Sequence, residues 1–143
     1  MLLNVDCGES DGEPEALFGL AHLVNVACGG HAGDAASMRL ACERAERSGT
    51  RVGAHPSFPD REGFGRRALE LDPDTLAASV GSQCASLRAA ASSVGIAVTH
   101  LKFHGALYHR VEADPALAER LVDVAVAVLG QVEVLGAASG ALG

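Results

Sequence analysis

Tryptophan is absent from the 143 residues, and aromatic side chains make up 3% of them. With 48% of the chain apolar, the core must be built from Ala, Val and Leu, and the chain reads as globular rather than disordered. Basic runs are missing as well. The formal charge is -7 and the pI about 5.2, and no stretch of Lys or Arg is long enough to follow a phosphate backbone, so nucleic acid is not an expected partner. The opening "MLLNVDCGES" has no basic region and reaches Asp6 and Glu9 almost at once, unlike a secretory signal. Long hydrophobic runs are lacking too: "LVDVAVAVLG" is too short for a membrane span and carries Asp123, so no membrane association and a cytoplasmic location are expected. Cys7, Cys28, Cys42 and Cys84 form no CxxC pair and are read as buried thiols rather than disulfides.

Short apolar runs alternate with longer helical stretches. "LLNV" (2–5), "LVNVAC" (23–28), "RVGA" (51–54), "VTHLKF" (98–103) and "VEVLG" (132–136) have strand character. Helices are expected over 15–22, from the Asp34 cap to Gly49, from Asp72-Pro73 to Gly95, and from Asp114-Pro115 to Gly130. An Asp cap, Pro in the first turn and Gly after the last satisfy orphan amides and allow a left-handed exit. Strand followed by helix, without hairpin turns, predicts parallel pairing through right-handed crossovers, hence an α/β sheet or barrel. The length suits one domain, 1–143. Five strands and about four helices make roughly half to two-thirds of a (β/α) barrel.

Polar residues gather where the strands stop. Asn4, Asp6 and Glu9 go with the first strand, Asn25, His31 and Asp34 with the second, His55, Asp60 and Arg61 with the third, and Lys102 and His104 with the fourth. In parallel α/β folds those ends share one face, so residues distant in sequence converge around a crevice. His31, His55 and His104 are the histidines expected to function, whereas His22, His100 and His109 are read as core or surface residues. An Asp with several His could hold a divalent metal such as zinc that activates water. The same groups without metal could act as general base and acid, and sequence alone leaves both open. Lys102 suits a phosphate or a developing oxyanion. The loop "GAHPSFPDREGFGRR" (53–67) offers Arg61 and Arg66 as guanidinium forks for a carboxylate or phosphate.

Four blocks, "LNVDCGES" (3–10), "NVACGGHAGD" (25–34), "GAHPSFPDREGFGRR" (53–67) and "HLKFHGALYH" (100–109), together resemble the LamB/YcsF family, the A component of 5-oxoprolinase. The resemblance implies a seven-stranded (β/α) barrel of the glycoside hydrolase/deacetylase type, of which this chain would supply about five βα units, an incomplete barrel. It implies ATP-dependent hydrolysis of 5-oxo-L-proline to L-glutamate together with partner subunits B and C. Carried onto this chain, Asp6, His31, His55, Lys102 and His104 would be catalytic, with Asp6, His55 and His104 the ligands of any metal. Asn4, Glu9, Asn25, Asp34, Asp60, Arg61 and Arg66 would bind substrate. Two other readings stand beside it: a metal-dependent amide hydrolase or deacetylase, and a truncated, non-catalytic remnant that interacts through its unpaired edge. An open edge also leads us to expect homo-oligomers.

Overall fold

The computed structural model describes residues 1–136, so residues 137–143 of the expected domain lie outside the described residues. Five parallel strands form one sheet in chain order: β1 (Asn4–Cys7), β2 (Leu23–Ala27), β3 (Arg51–His55), β4 (Val98–Leu101) and β5 (Glu133–Val134). Helices α1 (Ala16–Leu20), α2 (Ala35–Ser48), α3 (Pro73–Val94), α4 (Gly105–Ala113) and α5 (Pro115–Leu129) fill the crossovers. The described residues thus contain four strand-to-helix units and a fifth strand.

The helix ends follow from side-chain chemistry. The Asp34 carboxylate accepts from Ser37 N at 2.8 Å while the Ser37 hydroxyl accepts from Asp34 N, a reciprocal cap that opens α2. Asp72 and Asp114 cap α3 and α5 through the same kind of bond, each ahead of a proline, and such caps contribute about 1 kcal/mol each. Gly49 and Gly95 end α2 and α3 in the left-handed conformation.

The strands differ from the expected ranges at their ends. β1 begins at Asn4, not residue 2, and β4 ends at Leu101, although Lys102 N still donates to Ala54 O at 2.9 Å. α4 is a fifth helix that the expected four did not include. His104 precedes it and makes no side-chain capping bond, so its start carries no cap signal.

Alternation along the strands sends Val24, Val26, Val52, Ala54 and Leu101 into an aliphatic core with residues such as Met38, Val80, Leu87 and Leu121. The four cysteines are free and buried within it. Burial pushes their thiols upward, Cys42 to about 11, so they pack rather than react. On the other alternation, the register lines up Asp6, Asn25, Gly53, His100 and Glu133 across all five strands. Gly53 matters in this row because a Cβ there would collide with the His100 ring. The ring lies across the glycine, and its Nε2 reaches Val24 O at 3.1 Å, two strands away. Among the described residues, no helix is long and apolar enough to cross a membrane.

Candidate functional site

Beyond the strand ends, three loops bring histidines together. His55 is the last residue of β3, His31 sits in the loop after β2, and His104 stands between β4 and α4. All three are buried. The His31 and His104 rings stack at 3.6 Å between centroids, and His55 meets both edge-on. Glu9, from the loop after β1, places Oε1 2.8 Å from His31 Nε2, 3.7 Å from His104 Nδ1 and 3.8 Å from His55 Nε2. Glu9 is itself oriented from behind, since Glu13 accepts from Gly8 N at 2.6 Å and from Glu9 N at 3.3 Å.

Each ring is fixed by a bond on its far side. His55 Nδ1 lies 2.7 Å from Lys102 O, His104 Nε2 lies 2.8 Å from Phe64 O, and His31 Nδ1 lies 3.0 Å from Ser57 Oγ. Ser57 is steadied by Gln83, whose side chain accepts from Ser57 N and donates to Ser57 O. Burial first, then the charge of His31, pushes the His104 pKa down to about 4, favouring a neutral ring. Glu9 is lowered overall: burial raises it, but the hydrogen bond and charge of His31 outweigh that.

A second network adjoins the histidines. Lys102 Nζ donates to Asp6 Oδ1 at 3.0 Å, Asn25 Nδ2 donates to the same oxygen at 3.0 Å and to Asn4 Oδ1 at 3.1 Å, and Asp6 Oδ2 lies 3.4 Å from His55 Nε2. Burial raises the Asp6 pKa, yet His55, Lys102 and Asn25 together hold it well below the usual carboxylate range. An open pocket of about 320 Å³ faces this network, lined by Asp6, His55, Lys102, His104, Tyr108 and His109 among others.

The loop after β3 covers the stacked rings. Phe64 meets His31 and His104 edge-on, at 5.0 and 5.3 Å. Gly65, at φ 66°, lies so close that a Cβ would come within 2.8 Å of His31 Cβ and 3.0 Å of His104 Cδ2.

Of the sequence-derived candidates, the structure gathers Asp6, Glu9, His31, His55, Lys102 and His104, with Asn25 bracing Asp6 and Asn4 bracing Asn25. The others are placed differently. Asp34 caps α2, and Asp60 is paired with Arg67 through two bonds. Arg61 donates to Gly33 O at 2.7 Å, pinning the β2–α2 loop, and the Arg66 guanidinium stacks over Phe64 at 5.0 Å. The grouping of donors also differs from the expected metal triad of Asp6, His55 and His104. Glu9, His31, His55 and His104 each offer one ligand atom, all within 4.8 Å of one another, and this set could hold a metal ion. Sequence reasoning missed Ser57, Phe64, Arg67 and Gln83. The concentration of Gly and Pro around residues 56–65 was the available signal for the first two; Arg67 and Gln83 carried none.

Comparison with known proteins bears on this arrangement. Residues 1–142 match the LamB/YcsF family. The structure is similar to that of a lactam utilization protein from Thermus thermophilus, with a TM-score of 0.92 and 33% sequence identity. The alignment covers 99% of this chain and 60% of that one, so the chain spans about three-fifths of that protein's length.

Proposed function

Because the chain belongs to the LamB/YcsF family, we propose that its strand-end cluster opens a lactam ring, with 5-oxo-L-proline converted to L-glutamate in an ATP-dependent reaction shared with two partner subunits, B and C. The observation that carries this reading is the meeting of Asp6, His55, Lys102 and His104, from three separate strand ends, at one pocket mouth. In this reading the five-stranded sheet belongs to a seven-stranded (β/α) barrel, whose catalytic groups sit at the strand ends.

A lactam is a poor electrophile. Transfer of the ATP γ-phosphoryl group to the carbonyl oxygen turns that oxygen into a leaving group. Water then adds at the same carbon, the C–N bond breaks to free the amine, and a second water releases phosphate from the resulting acyl phosphate. Asp6, ionised under all but strongly acidic conditions, accepts the proton of the attacking water. Lys102 Nζ, 3.0 Å from it, is the cation nearest the developing oxyanion and the proton source for the departing nitrogen. His55, braced by Lys102 O, holds Asp6 from the other side. A divalent ion held by Glu9 and the histidines would polarise a carbonyl or phosphoryl oxygen.

The test is reconstitution of this chain with subunits B and C, following glutamate from 5-oxoproline. The reading expects glutamate only when ATP is present, and loss of it in Lys102→Met. Absence of product with all components present would overturn it. A second reading, amide hydrolysis without ATP, is favoured by the Glu9–histidine donor set alone; turnover that continues when ATP is omitted would select it.

A further inference from the structure

The pocket at the strand ends has two unlike walls. On one side the polar side chains are already engaged: Asp6 with Lys102, His55 with Lys102 O and His104 with Phe64 O. The other wall is one stripe of α4. Gly105, Tyr108 and His109 are spaced i, i+3 and i+4, so they share a helix face, and all three line the pocket while Leu107 and Val111 are buried on the opposite side. His109, read from the sequence as a core or surface residue, is exposed at the pocket rim, and Tyr108 beside it is half-buried. Their rings stand edge to face at 5.6 Å. Among the described residues, neither the Tyr108 hydroxyl nor the His109 imidazole has a hydrogen-bond partner. The unspent hydrogen-bonding capacity of this pocket therefore sits on α4, and both side chains can donate.

Charge narrows what they would meet. Asp6 and Lys102 offset one another across 3.0 Å, so the reacting end offers no spare cation for a second ionised group of a substrate. The guanidinium groups expected to take a carboxylate are occupied elsewhere: Arg61 donates to Gly33 O, Arg66 lies over Phe64, and neither lines this pocket. A carboxylate accepts from two donors at once, and hydrogen bonds to a charged acceptor are the stronger kind. On the lactam reading, we propose that Tyr108 and His109 hold the substrate's carboxylate, so that the site selects lactams bearing a carboxylate beside the ring nitrogen over neutral lactams. 5-Oxo-L-proline carries that group on the ring carbon across the nitrogen from its carbonyl. With the carbonyl toward Asp6 and Lys102, the carboxylate projects toward α4. The wall is also well placed to set register. Ala106 N donates to Gly65 O at 3.0 Å, and Gly105 packs so tightly that a Cβ would come within 2.6 Å of the same oxygen, which ties the start of α4 to the loop covering the histidines. Anchor and reacting groups are thereby held in one geometry.

The test sets 5-oxoproline against butyrolactam, the same ring without a carboxylate, used as a competitor. In the reconstituted ATP-dependent reaction, Tyr108→Phe and His109→Leu should each raise KM for 5-oxoproline by about 10-fold or more, the worth of a hydrogen bond to a charged acceptor, with kcat within about threefold. Inhibition by butyrolactam should be the same in parent and variants, because the neutral ring gives neither side chain anything to hold. Both changes are mild for the fold, since Phe keeps the Tyr108 ring and His109 is exposed. An unchanged KM in both variants, or an equal weakening of butyrolactam, would overturn the anchor. No glutamate from the unmodified chain with its partner subunits would instead remove the lactam reading. Binding to the unmodified chain alone then decides the anchor: 5-oxoproline must shift the Tyr108 and His109 magnetic resonances more than butyrolactam does, and equal or absent shifts count against it.

Discussion

His100 and His104 lie four residues apart, one within β4 and one just past its end, and they look alike by the usual criteria. Both are buried, and burial drives both pKa values down to about 4. Their partners separate them. His100 gives its Nε2 proton to Val24 O at 3.1 Å and meets the Thr99 hydroxyl with Nδ1 at 2.9 Å, so each nitrogen has its complement within the protein. His104 satisfies one nitrogen on Phe64 O and turns the other toward His55 Nε2, 3.1 Å away, with the Glu9 carboxylate beside them. Burial and weak proton affinity therefore do not mark a site. The company of other titratable side chains does.

Substitutions can break this contrast or sharpen it. The largest effect is expected from His104→Ala, which should slow the reconstituted ATP-dependent reaction by about 10²–10⁴-fold, the range for a group acting at the reacting centre. The rate is taken per folded molecule, because removing a buried ring that bonds to Phe64 O also costs stability. A rate within tenfold of the parent would erase the distinction between the two histidines.

His100→Ala should do the opposite. Emptying the space over Gly53 and orphaning Val24 O is expected to cost about 2–4 kcal/mol in urea unfolding, with the rate per folded molecule unchanged. Gly53→Ala sharpens the point, because the new methyl would collide with the His100 ring. Its penalty should shrink in the His100→Ala background, with a coupling on the order of 1–2 kcal/mol in a double-mutant cycle.

The smallest effect concerns pH. Both rings take up protons in the folded chain near pH 4, against an ordinary value of 6.5. Between those limits the unfolded chain binds more protons, so stability falls as pH falls, by up to about 1.4 kcal/mol per pH unit for each ring. His100→Gln should flatten the slope of urea midpoints from pH 6.5 to 4 by about the share of one ring. An unchanged slope would show that the ring in β4 does not resist protonation.

Much of the architecture was legible in the sequence because its signals are local. Asp34, Asp72 and Asp114 each cap a helix, and Gly49 and Gly95 end two of them, as their neighbours in sequence indicate. The convergence of Asp6, His31, His55 and His104 was legible from topology, since parallel strands share one end. Pairings that depend on loop shape were not. Arg61 looked like an anion fork, yet it holds Gly33 O, and Asp60 is claimed by Arg67. These outcomes depend on a turn in which Phe64 takes φ 54° beside Gly65, and a single sequence does not announce a non-glycine residue in that conformation. Glu9 was grouped with substrate contacts because spacing along a chain cannot say which of two nearby carboxylates faces a ring.

The order of the strands has a further consequence. Each strand pairs with the one synthesised just before it, from β1 through to β5. The sheet can therefore be laid down as the polypeptide leaves the ribosome, every new segment finding its template already in place. Glu9, His31 and His55 are all translated before His104, so the last ring to emerge meets a half-built nest.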